Sequence, residues 1–215
     1  MEQNPYAPDF KGLPETLPVF PLSGVLLLPM GNLPLNIFEK RYLKMVGDAL
    51  GGNRLIGMIQ PRAEGETALY DIGCAGKITE FRETGDGRYV ITLTGISRFK
   101  IAEELKTATP YRQVRPDWEA YKNDLEPSSC LDLDRAKLNI LLQSYFSAQE
   151  MKCDWKAVEK APDGRLVTCL AMVCPFEPKE KQALLEAPCC KTRAEAFMTM
   201  LEMAVKARKE CGSCH

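Results

Sequence analysis

Histidine is the residue type with the most direct bearing on catalysis, and the 215-residue chain has one, His215, at its last position. A Ser-His-Asp or Cys-His arrangement needs an imidazole held inside the fold beside its nucleophile. A histidine-rich zinc site needs several such side chains. The sequence therefore predicts neither a histidine-dependent hydrolase nor a histidine-rich metal centre.

A glycine-containing hexapeptide, Gly73-Cys74-Ala75-Gly76-Lys77-Ile78, superficially resembles a phosphate-binding loop. Its spacing is too short for that motif, and Ile78 occupies the position where a hydroxyl must contact magnesium. We interpret the segment as a turn that leads into a strand. The sequence predicts no ATP hydrolysis by a P-loop and no cofactor.

Nine cysteines are an odd number, and no export signal is visible between Met1 and Lys11. Free thiols are therefore expected, as in a reducing compartment. Cys211 and Cys214 are the candidate metal ligands, because thiolates with this CxxC spacing can share a zinc ion. The alternative is a cysteine-containing tail that binds no metal.

A peptidase built on a Ser-Lys pair is the remaining enzymatic alternative. Ser97 and Ser144 are candidate nucleophiles, but the sequence around them supplies no apolar surround with a base. No pair of carboxylates is set in an apolar segment that would raise a pKa. The side chains by themselves indicate no particular reaction, so we expect a protein that is not an enzyme.

The charge balance bears on the partners. Lysine and arginine number 28 against 29 aspartate and glutamate, a net charge of -1. Phosphate binding normally shows as a basic footprint, so neither nucleic acid nor an anionic membrane is an expected partner. The most apolar stretch, Val25–Leu28, falls far short of the ~20 residues that cross a bilayer. With no signal peptide visible, the expected location is cytoplasmic.

The pattern of apolar residues and prolines divides the chain into four parts. Residues 1–16 read as an extended arm, 17–118 as a β-rich region, 119–130 as a polar linker, and 131–215 as a helical region with a cysteine-containing tail. The expected fold class is α+β, because strand-like and helical segments are segregated along the chain.

The clearest local signal in the β-rich region is a hairpin between Lys77 and Gly95. Asp86-Gly87 lies between two strand-like runs, and hairpin turns of this kind need positive φ. The second run has apolar residues on one face and threonines on the other, namely Tyr89, Ile91 and Leu93 against Thr92 and Thr94.

Helical periodicity appears once inside the β-rich region and again throughout residues 131–215. Glu39–Leu50 has an amphipathic stripe that repeats every three or four residues. Pro178 suits the first position of a later helix. Thr192 and Glu195 match a capping box at the start of the last helix.

Short fragments spread over Leu17–Val205 occur in an informative order. They are Phe20-Pro21-Leu22, Leu28-Pro29, Leu33-Pro34-Leu35, Ile37-Phe38-Glu39, Arg41-Tyr42, Asp86-Gly87-Arg88, Leu93-Thr94-Gly95, Arg98-Phe99 and Pro175-Phe176. This order resembles the N-terminal, substrate-recognising domain of Lon-type ATP-dependent proteases. The resemblance implies a PUA-like β-barrel-type subdomain followed by an all-helical subdomain.

The resemblance also implies a non-catalytic module that holds unfolded or degradation-tagged polypeptides. With no ATPase or peptidase motif in the chain, we expect a free-standing adaptor or regulator of ATP-dependent proteolysis, with a separate protease as a further candidate partner. Because PUA-like folds also occur in RNA-binding proteins, an RNA- or nucleotide-binding module is the alternative.

Apolar side chains of the resembling segments are the candidate polypeptide contacts, since apolar patches at a surface commonly mark recognition sites. Methionine is flexible and so tolerates varied partners. The candidate set consists of Met30, Leu33, Phe38, Arg41 and Tyr42.

Overall fold

The computed structural model describes residues 4–63, 67–126 and 133–212, with side chains described up to residue 207. The strands of the described chain are β1 (Leu17–Pro21), β2 (Asn32–Ile37), β3 (Leu55–Ile59), β4 (Ile72–Glu83), β5 (Tyr89–Leu105) and β6 (Arg112–Asp117). The helices are α1 (Lys40–Leu50), α2 (Arg135–Ala148), α3 (Trp155–Lys160), α4 (Asp163–Val173), α5 (Pro178–Glu186) and α6 (Cys190–Gly212). The predicted α+β class, with a β-rich half before an all-helical half, is confirmed.

The N-terminal half is one mixed sheet with the strand order β2-β5-β4-β3-β1-β6. The long strand β5 pairs with β2 and β4 and, along its last residues, with β6. Because β6 also pairs with β1, the strands β5-β4-β3-β1-β6 close a circuit. Strand β2 lies outside the circuit, and β4 and β5 shift register twice. The predicted β-barrel-type subdomain is therefore irregular, with five strands in the circuit and β2 outside it.

The predicted hairpin is the β4–β5 pair. Glu83 pairs with Tyr89 at the last rung, and Gly87 has a φ of 80°. The Thr84 N–H donates to the Arg88 carbonyl oxygen at 2.8 Å and closes the turn. Glycine adopts this left-handed conformation without a Cβ clash, which explains the Asp-Gly signal.

The larger apolar cluster runs through both halves of the molecule. Leu93 on β5, Met45 on α1 and Phe197 on α6 are all fully buried members of it. A smaller cluster, which includes Phe99 and Trp118, lies beneath the predicted N-terminal arm. The Trp118 indole N–H donates to a carbonyl of that arm, at Pro14, over 3.1 Å. The arm is therefore packed against the sheet in its described part.

The first half of the predicted linker differs from expectation. Residues Glu119–Leu125 form a 3-10 segment, and Asp124 makes an ion pair with Arg98 of β5. These residues belong to the packed structure, because Asp124 is bound by the buried Arg98, which lies 26 positions earlier in the sequence. Residues 127–130 of the predicted linker lie outside the described residues.

Two helix starts can be compared with their predictions. Helix α5 begins at Pro178, as predicted, and Glu177 and Glu180 form a capping box there. Helix α6 begins at Cys190, before the predicted Thr192. The Arg193 N–H already donates to the Cys189 carbonyl oxygen at 3.0 Å, so the predicted capping box at Thr192 is wrong. None of the described helices is long and apolar enough to cross a membrane.

Candidate functional site

An apolar row crosses β2, β5 and β4 near the hairpin end of the sheet. Leu35 pairs with Ile91, and Ile91 pairs on its other side with Phe81. Directly paired residues of neighbouring strands lie on the same face. Ile37 and Tyr89 form the next pair on that face. The row therefore extends the core outward to the end of the hairpin.

This row becomes exposed at its outer end. Ile91 belongs to the main core, whereas Phe81 is 43% exposed. The Phe81 and Tyr89 rings meet edge to face with their centroids 5.0 Å apart. Phe38 directly follows Ile37, the partner of Tyr89, so it lies at the same end of the sheet, and it is 66% exposed. We call Leu35, Phe38, Phe81 and Tyr89 the sheet-end surface.

The exposure of these rings is the physical feature of interest. Full burial of a phenylalanine side chain stabilises a fold by about 1.5–3 kcal/mol, and most of this stabilisation is absent for the exposed Phe38. Charged residues, namely Glu39, Arg41, Arg82 and Glu83, are exposed next to Phe38 and Phe81 in the sequence. An apolar centre with a polar rim is the usual anatomy of a recognition surface.

Two of the predicted contacts lie at the start of α1, beside Phe38. The Arg41 guanidinium lies 4.6 Å from the centroid of the Tyr42 ring and donates to Glu39 at 2.9 Å. Tyr42 is 5% exposed and packs on Phe20, with 4.1 Å between ring centroids. Burial raises the pKa of Tyr42. Tyr42 is thus a core residue that supports Arg41 and not a surface contact itself.

The other two predicted contacts, Met30 and Leu33, lie towards the opposite end of β2. Leu33 is half-buried and pairs with Leu93 of the core. Met30 is half-buried with a φ of 67°, and its N–H donates to Gly95 at 2.9 Å. The structure therefore does not bring the five predicted residues together: Phe38 and Arg41 share one end of β2, and Met30 and Leu33 the other.

Sequence reasoning missed Leu35, Phe81 and Tyr89 as surface residues. The hairpin prediction already placed Tyr89 on the apolar face of β5. Phe81 pairs with the apolar Ile91 only two rungs from the turn. The available signal was the position of two aromatic residues near a turn, with no predicted element that would cover them.

A buried polar junction joins the two halves. Arg98 of β5 donates through Nε and Nη2 to Asp124 at 2.8 Å in both bonds. Its Nη1 donates to main-chain carbonyls at the end of α5, those of Leu185 and Ala187. Burial is the largest single influence and opposes the charge of Arg98, but the hydrogen bonds to Asp124 and the attraction of nearby acidic groups, Asp124 foremost, together raise the pKa of the guanidinium. The sequence includes Arg98 among the fragments of the family resemblance but does not identify these partners.

Two glutamines complete the polar junction. Gln60, directly after β3, donates to Gln182 of α5 at 3.1 Å, and Gln182 donates to the Ile72 carbonyl at 3.1 Å. Lys181 is also buried and donates to the Gly24 carbonyl at 2.9 Å. Burial lowers the pKa of Lys181. These bonds connect α5 with the sheet at several separate points.

The remaining candidates have ordinary surroundings. Ser97 is buried, and its hydroxyl donates to the Arg98 carbonyl at 2.9 Å, so a polypeptide has no access to it. Ser144 is exposed on α2. The hexapeptide Gly73–Ile78 lies within β4 and not in a turn.

The predicted cysteine ligands lie at the end of α6. The side chain of Cys211 and the whole of Cys214 are outside the described part of the chain. Among the described residues, no group of three or more potential metal ligands is close enough to hold an ion.

Comparison with solved structures identifies the fold. The chain is similar to the crystal structure of a Lon N-terminal domain protein from Xanthomonas campestris, with a TM-score of 0.62 and 22% identity over 86% of this chain and 97% of that one. It is similar at the same TM-score of 0.62 to the N-terminal domain of the Mycobacterium avium complex Lon protease, with 15% identity over 87% and 98% of the two chains.

Sequence comparison agrees. Lon protease 2 of Myxococcus xanthus is 27% identical over 88% of this chain and 24% of its own length. Lon protease of Anaeromyxobacter dehalogenans is 31% identical over 88% of this chain and 23% of its own length. The chain thus spans about a quarter of the length of these curated relatives. A family model, the substrate-binding domain of ATP-dependent protease La (LON), matches residues 16–203. The protein belongs to the LON substrate-binding domain family.

Proposed function

We propose that this protein binds unfolded or degradation-tagged polypeptides through its sheet-end surface, as a non-catalytic recognition module. The observation that carries the proposal is the exposure of Phe81, which pairs with the core residue Ile91, and of Phe38, directly after β2. Unfolded chains expose apolar side chains that folded proteins bury, and an apolar surface selects for them. The adaptor or regulator role, with a separate ATP-dependent protease receiving the bound chain, is part of this proposal.

The composition of the surface supports binding of varied partners. Phe81 and Tyr89 already contact each other, so little side-chain entropy is lost when a partner covers them. Aromatic residues are enriched among the side chains that dominate binding energy. Arg41 lies beside Phe38 with its charge partnered by Glu39, which keeps the rim hydrated.

Exposed apolar residues elsewhere are arranged differently. Ile140, Val173 and Met203 lie singly on α2, α4 and α6. Single exposed apolar side chains are common on soluble proteins and carry no recognition argument by themselves. The sheet-end surface is distinguished by the paired rings and the adjoining apolar row.

The test is retention of a small protein in two forms, native and permanently unfolded by reduction and carboxymethylation. The intact chain is immobilised, and binding of each form is measured. We expect the unfolded form to be retained and the native form to pass. The double variant Phe38→Ser, Phe81→Ser should weaken retention by about tenfold or more, which is the usual effect of removing dominant interface side chains.

Ile140→Ser is the matched control, because Ile140 and Phe38 are both 66% exposed. It removes a similar apolar area from the helical half and should leave retention unchanged. Equal retention of the native and unfolded forms would contradict the proposal. So would a double variant that binds the unfolded form as well as the unchanged protein does.

A further inference from the structure

A cleft separate from the sheet-end surface lies where the N-terminal arm crosses the turn between α1 and β3. Its volume is about 470 Å³. The arm contributes one wall, and the turn and β4 contribute the other. The residues that matter for its chemistry are Pro8, Gly12, Gly52, Arg54, Leu55 and Lys77.

The charge of the cleft is of one sign. Among the described residues that line it none is acidic, whereas Arg54 and Lys77 are both cationic. The Lys77 ammonium reaches the arm, where it donates to the Tyr6 carbonyl at 3.3 Å. Within the described chain Arg54 is exposed and has no carboxylate within ion-pair distance, whereas Arg62 and Arg115 each have one.

The backbone of Arg54 is unusual. Its φ is 62°, in the left-handed region that favours glycine. The conformation is held from both sides, since the Arg54 N–H donates to Ala49 at 3.0 Å and its carbonyl accepts from Ile78 at 2.8 Å. Strained residues of this kind cluster at functional sites. A glycine at position 54 would relieve this strain.

We propose that this cleft binds the terminal carboxylate of a polypeptide. The guanidinium fork matches a carboxylate, and the Lys77 ammonium adds a second donor. Pro8 offers apolar contact for the last side chain, while Gly12 and Gly52 leave room for a small one. The assignment rests on the proposed polypeptide-binding function and adds that the partner presents its carboxyl end.

The experiment uses one short unfolded peptide, labelled at its amino end and ending in alanine, in two forms. One form has a free carboxyl terminus and the other a terminal amide. Binding to the intact chain is measured by fluorescence anisotropy. We expect the free acid to bind about tenfold or more tightly than the amide. Only the free acid has a carboxylate that can form charged hydrogen bonds with Arg54 and Lys77.

Arg54→Gly should remove the preference for the free acid while the unfolding midpoint stays the same or rises, because glycine fits the left-handed backbone. Lys77→Gln should reduce the preference without abolishing it. Lys100→Gln is the control, since Lys100 is exposed on β5, lies outside the sheet-end surface and does not line the cleft. It should leave the preference intact.

Equal affinity for the free acid and the amide would overturn the carboxylate site and leave the proposed function standing. Binding of neither peptide would overturn both. An amidated peptide with a glutamate before its last residue separates the two sources of carboxylate. Recovery of full affinity by that peptide would overturn the assignment to the chain terminus.

Discussion

At the junction between the two halves, charged and amide side chains are buried. At the sheet-end surface, aromatic side chains are exposed. Arg98 is 3% exposed and bonded to Asp124 and to two carbonyls of the helical half. Phe38 is 66% exposed and lies one residue after a strand of the same sheet.

The two regions differ in what the loss of one side chain does. A buried polar group that loses its partner keeps its desolvation penalty, so the free energy of unfolding falls. An exposed ring contributes little to the free energy of folding, and its removal lowers the affinity for a binding partner. Fold and recognition should therefore be separable by mutation: the junction sets stability and orientation, and the sheet-end surface sets binding.

The largest effect is expected for Arg98→Met. The substitution leaves Asp124 buried without its cation and frees two carbonyls at the end of α5. Breaking a buried pair by removing one partner destabilises by about 3–5 kcal/mol. Urea unfolding followed by circular dichroism measures the change.

Arg115→Met is the control for that loss, because the Arg115–Glu103 pair is solvent-exposed on both sides. An exposed pair contributes about 0–1 kcal/mol. Similar losses for the two variants would show that the Arg98–Asp124 bond has no special role at the junction.

A smaller loss is expected for Gln182→Leu, about 1–3 kcal/mol, because the Gln60 amide and the Ile72 carbonyl each lose one hydrogen bond. The double variant with Gln60→Leu should lose less than the sum of the single losses, since two apolar side chains then face each other. A double-mutant cycle of unfolding free energies measures the coupling. Strict additivity would place the two glutamines in independent environments.

The junction also predicts a pH dependence. Burial lowers the pKa of Lys181 below its ordinary value of 10.5, so the folded state binds this proton more weakly than the unfolded state. The free energy of unfolding should therefore rise as pH increases through the folded pKa towards 10.5. Lys181→Met should lack this rise. Unfolding curves at several alkaline pH values compare the two proteins, and parallel pH profiles would contradict the prediction.

The smallest effect on stability is expected for Phe38→Ser, within about 0.5 kcal/mol, as for surface substitutions generally. The same variant should bind unfolded polypeptide more weakly, so the order of effects is reversed when binding is measured. Thermal unfolding and retention assays on one preparation measure both. A loss of stability as large as that of Arg98→Met would remove the distinction between the two regions.

Much of the architecture could be predicted from the sequence, because it depends on short-range pattern. The Asp86-Gly87 turn needs positive φ, and the stripe on Glu39–Leu50 repeats at the helical period, so both elements follow from neighbours in the chain. Pro178 marked the start of α5 for the same reason. Thr192 was misjudged because Cys189 precedes it with a carbonyl that already accepts the first helical bond.

The sequence by itself determined the α+β class, the hairpin, the first helix and the resemblance to the Lon substrate-recognising domain. Only the tertiary structure decided which candidates are exposed. Tyr42 and Phe38 are four positions apart and equally aromatic, yet one packs on Phe20 and the other faces solvent. Likewise, Arg98 meets Asp124 and the end of α5 only in the folded chain, 26 and 87 positions away in the sequence. Burial and pairing of this kind depend on residues distant in the chain, and local pattern carries no information about them.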